Sequence, residues 1–251
     1  NFSKTRVGIG LGDGEAPRGV LDVRGDIYMN GFKLFQPSTP IAREGLAVLL
    51  DASDPNSYPT SGTYWWDTSG NGRNATIRGS VPFVNDGLAS YFDFSGNLAD
   101  YMDQTGGSAV VFKDMCIVFK VDAMVNSFAS LISRSASSGQ GLRVVNNNIP
   151  NPGNGDDWAG SVAQGGPTTY FVNGVADTDT VPITNGQWYI LGGSTQNSTF
   201  LNSVWSYYLG RAYSSNRNLD GKIAFVALYN RVLSADEQLQ NYNALKGRFG
   251  V

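Results

Sequence analysis

The chain has 251 residues, 41% apolar and 12% aromatic but only 16% charged, which is enough apolar content for one large core and excludes a disordered chain. A formal charge of −3 with no basic run gives nothing to track a phosphate backbone, so nucleic acid is not expected as a partner. No histidine is present, which removes Ser-His-Asp and Cys-His catalysis, His-ligated zinc and imidazole proton transfer.

In chain order, the first 36 residues hold three short β-like runs, Val7–Gly10, Val20–Arg24 and Ile27–Phe35, with Asn30-Gly31 as a tight-turn dipeptide. They cannot bury a core alone, and Pro37 and Pro40 impose an extended spacer. A stem or anchoring segment is therefore expected over residues 1–40, with the main domain over 41–251.

From Gly45 onward, strand-like runs alternate with turns at the spacing of an all-β sandwich: Leu46–Leu50, Leu88–Phe94, Ala109–Val121, Phe128–Ser133, Gly141–Val145, Thr168–Val172, Gln187–Leu191, Val204–Leu209 and Gly221–Tyr229. Cys116, the single cysteine, lies in the run "MCIVFKV" and reads as a small buried side chain. In "GKIAFVALYN", Ile223, Phe225, Ala227 and Tyr229 are expected on one face and Ala224, Val226 and Leu228 on the other. Both faces are apolar, so the strand is expected to be central. Asn173-Gly174 supplies the two positive-φ positions of a two-residue hairpin. Near the end, Ser234 and Glu237 form a capping box, Gly247 is expected to stop the helix, and Ala235, Leu239, Tyr242 and Leu245 give it an apolar stripe. No apolar run approaches the ~20 residues that span a bilayer, so membrane insertion is not expected.

Two kinds of binding chemistry are suggested. Asp67, Ser69, Asn71 and Gly72 match the first half of a calcium loop, in which alternate oxygens converge on a cation. Arg78 occupies the position of the closing bidentate carboxylate, so a turn with Asp67 and Ser69 capping backbone N–H groups is the favoured reading, and no cofactor is required. Sugar sites pair an aromatic face with fixed polar groups, and three loops offer this: Trp158 beside Asp156 and Asp157, Tyr64, Trp65 and Trp66 beside Asp67, and Tyr213 beside Arg211 and Asn216. Trp66 and Trp188 adjoin strand-like runs and are expected in the core. The long polar loops 145–160 and 192–203 are the expected working surfaces.

The stretches "GLAVLLDASDPNSYPTSGTYWWDTSGNGRNATIRG", "ASYFDFSGNLADYM", "YFVNGV" and "LDGKIAFVALYNRVLSADEQLQNYNALKGRFG" resemble, over about residues 45–249, the laminin-G type of concanavalin A-like lectin/glucanase domain found in phage and algal-virus structural proteins. Members often carry an acidic residue where this chain has Ala224. Separately, "VGIGLGDGEAPRGVLDVRGDIYMNG" resembles a segment of viral tail-fibre and spike proteins. Together the resemblances imply an antiparallel jelly-roll sandwich behind a β-rich stem, in a virion surface protein that is a homotrimer. They imply a lectin-like domain attaching to a host glycan or receptor, or, as the alternative, a joining or decoration module that contacts other virion proteins without glycan. Glucanases of this fold use clustered Glu, whereas here Glu15 is in the stem, Glu44 at the boundary and Glu237 in the capping box. Asp100/Asp103 and Asp156/Asp157 could substitute only as loop carboxylates, so the chain is not expected to be an enzyme.

Overall fold

A computed structural model describes residues 7–9, 21–23, 27–29, 32–35, 40–124, 128–134, 141–149, 169–177, 181–194, 204–212 and 217–251. The chain divides into two compact units, Asn1–Pro40 and Ile41–Val251. In the first, β1 (Val7–Ile9) pairs in parallel with β2 (Leu21–Val23), and β3 (Ile27–Met29) pairs antiparallel with β4 (Phe32–Phe35).

The second unit is all-β with one helix at its C-terminal end. Its strands are β5 (Leu46–Asp51), β6 (Tyr64–Trp65), β7 (Asn74–Arg78), β8 (Phe83–Asn85), β9 (Ser90–Ser95), β10 (Tyr101–Thr105), β11 (Val110–Val111) and β12 (Asp114–Ala123). There follow β13 (Phe128–Arg134), β14 (Gly141–Val145), β15 (Asn148–Ile149), β16 (Thr169–Val172), β17 (Val175–Asp177), β18 (Val181–Pro182), β19 (Trp188–Ser194), β20 (Val204–Trp205), β21 (Tyr207–Leu209) and β22 (Asp220–Tyr229), then α1 (Ala235–Phe249). Two large antiparallel sheets result. The first runs β17-β16-β19-β12-β22-β9-β8, with β5 also paired to β22; the second runs β18-β15-β14-β13-β21-β10-β7-β6.

The inner faces of the two sheets share one apolar core. Val48, Phe92, Phe94, Ile117, Phe119, Leu191 and Val226 come from the first sheet, and Trp65, Ala75, Met102, Leu131, Leu142 and Leu209 from the second. Burial of this surface is the main driving force, at roughly 25 cal/mol per Å² removed from water. The Asn173-Gly174 turn takes φ of 49° and 78° and joins β16 to β17 as the dipeptide predicts.

Strand β22 is central, with β12 on one side and β9 and β5 on the other. Its alternation is not the simple one the sequence suggests. Phe119 pairs with Ile223 and Val118 with Phe225, which leaves Ala224 as an extra residue. The bulge puts Ile223 on the same side as Val226 and Leu228, and Ala224 beside Phe225, Ala227 and Tyr229 on the other. It also marks a change of partner: Asp220 to Ile223 pair with β9, whereas Phe225 to Tyr229 pair with β5.

The helix covers the outer face of the first sheet. Leu233, Leu245 and Phe249 pack on Leu49, Tyr91, Cys116, Val118, Ile190, Phe225 and Tyr229. The capping box is present, with the Ser234 hydroxyl accepting from the Glu237 N–H at 3.2 Å and the Glu237 carboxylate accepting from the Ser234 N–H at 2.9 Å. Arg231 bonds that carboxylate through both terminal nitrogens and holds it well below its ordinary range, near pH 2. Two expectations about the helix are corrected. It does not stop at Gly247 but continues to Phe249, and Gly250, at φ 69°, takes the left-handed capping position with its N–H on the Lys246 carbonyl at 2.9 Å. The buried face is Gln238, Asn241, Leu245 and Phe249, while Leu239 is exposed.

Polar residues occupy that face because the sheet presents polar groups to it. Asp114, fully buried, accepts through Oδ1 from the Gln238 amide and the Met115 N–H, both at 2.7 Å, and through Oδ2 from the Leu233 N–H at 2.8 Å. Asn241 Oδ1 accepts from the Ala42 N–H at 2.8 Å, and its amide donates to the Tyr229 hydroxyl at 3.2 Å. Arg248 forks onto Asp51 at 2.7 and 2.9 Å. Removing the Asp114 carboxylate would leave the Leu233 N–H and the Gln238 amide buried without it. Asp114→Ala is therefore expected to cost about 3 kcal/mol of stability in denaturant unfolding, and a loss below ~1 kcal/mol would show that the helix does not depend on this carboxylate.

Candidate functional site

The outer face of the second sheet differs from that of the first, because among the described residues no helix packs on its β6-β7-β10-β21 half. Register brings a set of side chains together there. Tyr64 pairs with Thr76, Thr76 with Asp103, and Asp103 with Tyr208, forming one row across four strands; Arg78 lies opposite Tyr101 in the next row. At about 4.8 Å between strands, the row from Tyr64 to Tyr208 spans roughly 14 Å.

Alternation assigns the faces. Trp65, Ala75, Ile77, Met102, Tyr207 and Leu209 point into the core, so the intervening Tyr64, Trp66, Thr76, Arg78, Tyr101, Asp103 and Tyr208 point outward. Tyr64 and Trp66 are 40% and 43% exposed, and their rings lie 5.2 Å apart. Tyr101 and Tyr208 meet edge to face at 5.6 Å. The guanidinium of Arg211 lies over both, 4.2 Å from the Tyr101 ring and 5.1 Å from Tyr208. Between the two aromatic pairs, Arg78 forks onto Asp103 at 2.7 and 3.1 Å, close enough to Tyr64 and Tyr101 to interact with both. The bond to Asp103 raises the Arg78 pKa further.

The backbone beneath these groups is fixed. Both the N–H and the carbonyl of Trp66 bond to Ser57, which is fully buried: the N–H donates to the Ser57 carbonyl, and the Ser57 hydroxyl donates to the Trp66 carbonyl, each at 2.7 Å. At the other end, the Gly210 N–H donates to the Leu131 carbonyl at 3.1 Å, the Gly210 carbonyl accepts from the Leu219 N–H at 2.8 Å, and the Ser133 hydroxyl donates to the Arg211 carbonyl at 2.7 Å. Gly210 has φ 78°, and a Cβ there would overlap the Phe94 ring.

The structure reverses the two tryptophans of the "YWWD" stretch. Trp65 is fully buried against Phe92 at 4.7 Å and belongs to the core, so it cannot meet a ligand; Trp66, expected in the core, is the exposed one. Trp188 packs between Tyr91 and Phe249, with the Lys120 ammonium 4.9 Å from its ring. Tyr64 and Arg211 lie on the outer face, whereas Trp158, Asp156, Asp157, Tyr213 and Asn216 lie outside the described residues. Sequence reasoning weighed Trp66 for sugar contact but favoured the core for it, considered Asp103 only as a catalytic carboxylate, and gave Arg78, Tyr101 and Tyr208 no place in a sugar site. The usable signal was period-two alternation in "NATIR" and "YMDQT", which sets small or apolar residues against these polar ones.

Asp67, Ser69 and Asn71 come together as a turn. Asp67 Oδ1 accepts from the Leu49 N–H at 2.8 Å and the Ser69 N–H at 2.9 Å, and Oδ2 from the Arg73 N–H at 2.9 Å. The Ser69 hydroxyl, the Asn71 amide and the Arg73 guanidinium all donate to the Ala47 carbonyl, at 3.1, 3.2 and 3.0 Å. This donor set does not suit a cation: the Asp67 oxygens already accept three N–H bonds, and Arg73 brings a positive charge to the same carbonyl. The loop instead ties β5 of the first sheet to β6 and β7 of the second. Of the carboxylates weighed for catalysis, the two that are described, Asp100 and Asp103, are engaged too. Asp100 accepts from the Ser80 N–H at 2.7 Å and the Ser95 hydroxyl at 2.5 Å, and Asp103 is held by Arg78.

No family model matches the sequence, and no curated protein matches it. Among solved structures, the chain is similar to Trypanosoma rangeli sialidase in complex with the inhibitor DANA, at 13% identity and a TM-score of 0.51, over 81% of this chain and 33% of the sialidase. It is also similar to the receptor-binding domain of botulinum neurotoxin type G, at 12% identity and a TM-score of 0.50, over 79% of this chain and 51% of that domain. The chain thus spans a third of the one and about half of the other. The likeness is one of fold.

The turn makes its own prediction. Asp67→Ala is expected to lower stability by about 2 kcal/mol through three lost backbone bonds, and calcium is expected to leave the melting temperature of the parent protein unchanged. A calcium-dependent rise that Asp67→Ala abolishes would overturn the turn reading.

Proposed function

We propose that the chain is a carbohydrate-binding module of the laminin-G, concanavalin A-like type, its two sheets in jelly-roll arrangement, acting without catalysis at a virion surface to attach to host glycan. The observation that carries this reading is the outer face of β6, β7, β10 and β21. It offers two aromatic pairs and a fixed Arg-Asp fork on a rigid backbone. Aromatic faces pack on the apolar C–H surface of a sugar ring, and the fork and the tyrosine hydroxyls suit its hydroxyl groups.

Supporting the non-catalytic part, glycoside hydrolysis usually needs two carboxyl groups flanking the scissile bond, and the described carboxylate on this face, Asp103, is paired with Arg78. The viral setting and a trimeric assembly rest on the resemblance of residues 7–31 to tail-fibre and spike segments, together with that of residues 45–249 to domains of phage and algal-virus structural proteins. The fold also serves a receptor-binding domain in the neurotoxin it resembles.

Glycan-array binding with the parent chain and Trp66→Ala tests the proposal. The variant should weaken the best glycan by about 1 kcal/mol, roughly fivefold, with the melting temperature nearly unchanged. If the parent binds no glycan, a joining role between virion proteins replaces this one.

A further inference from the structure

The two arginines of the outer face are not equivalent. Arg78 is neutralised: its Nε and one terminal nitrogen bond the two oxygens of Asp103. Arg211 has no carboxylate partner among the described residues. Its Nε donates to the Ala212 carbonyl at 3.3 Å, and its charged plane rests on the Tyr101 and Tyr208 rings. Aromatic rings hold a guanidinium in place without cancelling its charge, so, among the described residues, the two terminal nitrogens form a fork of donors suited to an anion. The backbone bonds that fix Gly210 and Arg211 place that fork before any ligand arrives. A cation that is oriented and, among the described residues, uncompensated stands out on a chain of net charge −3.

We infer that the glycan face selects an acidic sugar, with Arg211 as the specificity-determining residue: it forks onto the carboxylate or sulfate of the sugar while the Tyr64–Trp66 pair packs on a neighbouring ring. This deepens the proposed function and rests on it. Carboxylate and sulfate offer the same pair of acceptor oxygens, so the shared chemistry is a planar or tetrahedral oxyanion on a saccharide. The Arg78–Asp103 fork lies between the two aromatic pairs and suits hydroxyls rather than the charge, because its cation is already matched.

The test uses matched probes: oligogalacturonate against its methyl ester, and dextran sulfate against dextran. The parent chain should bind at least one acidic member at least about tenfold more tightly than its neutral counterpart, and added salt should shrink the difference. Arg211→Gln should erase the preference, and Arg211→Lys should restore part of it, since an ammonium keeps the charge but loses the fork. Both variants must match the parent in melting temperature; if either does not, Tyr208→Leu and Tyr101→Leu, which retain Arg211 but remove its platform, should weaken acidic binding in its place. Equal binding of acidic and neutral members, with Trp66→Ala still weakening both, overturns this inference and leaves the glycan-binding reading standing. An acidic preference untouched in Arg211→Gln also overturns it, because the anion then sits elsewhere. Failure to bind any of these probes, acidic or neutral, overturns this inference, and only the absence of binding across the glycan array overturns the proposed function with it.

Discussion

Docking of the C-terminal helix on the outer face of the first sheet is the constraint on which the arrangement of the molecule depends. That sheet is apolar on both faces, as β22 and β12 show, and a two-sheet sandwich covers only one of them. The helix supplies the second cover and is held by the buried Asp114 carboxylate as well as by Leu245 and Phe249. A buried carboxylate that lost its donors would be costly, so the attachment is specific in register as well as favourable. The β6-β7-β10-β21 half of the other sheet has no such need, because its outward residues are polar or amphipathic. Among the described residues one face is closed and one half-sheet is open, and the open half carries the aromatic and charged groups.

A second constraint links the sheets near that open half. The Asp67 turn bonds Leu49 and Ala47 of β5 to the segment that joins β6 to β7, and the Tyr207 hydroxyl adds a bond to the Arg73 carbonyl at 2.7 Å. Trp66 sits immediately before the turn, with its backbone held by Ser57. The stretch that looks like a metal loop thus has a mechanical role: it closes the sandwich at one edge and presents an aromatic side chain outward from a fixed base.

Much of the fold is legible in the sequence where local chemistry dictates it. Asn173-Gly174 must turn, Ser234 and Glu237 must cap, and the unbroken apolar run of β22 must be buried on both sides. Legibility fails where tertiary context decides. Nothing local marks Ala224 as a bulge; the need to exchange β9 for β5 along β22 does. The buried helix face could not be read as an apolar stripe, since Gln238 and Asn241 answer Asp114 and Tyr229, residues far away in sequence. The strands β6, β7 and β10 are short and bounded by Gly, Asn and Asp, so they read as loop, and with them went most of the candidate site. For the two tryptophans, a shift of one residue exchanges core and surface, and only the pairing of Trp65 with Ala75 fixes which is which.

In the proposed function, ligand meets the protein on the β6-β7-β10-β21 half of the second sheet. Backbone amide chemical-shift mapping during titration with a saccharide that binds tests it most directly. Perturbations are expected to concentrate at 64–66, 76–78, 101–103 and 207–211, with the helix at 235–249 unaffected. Perturbations confined to loop 145–160, or centred on the helix, would contradict it.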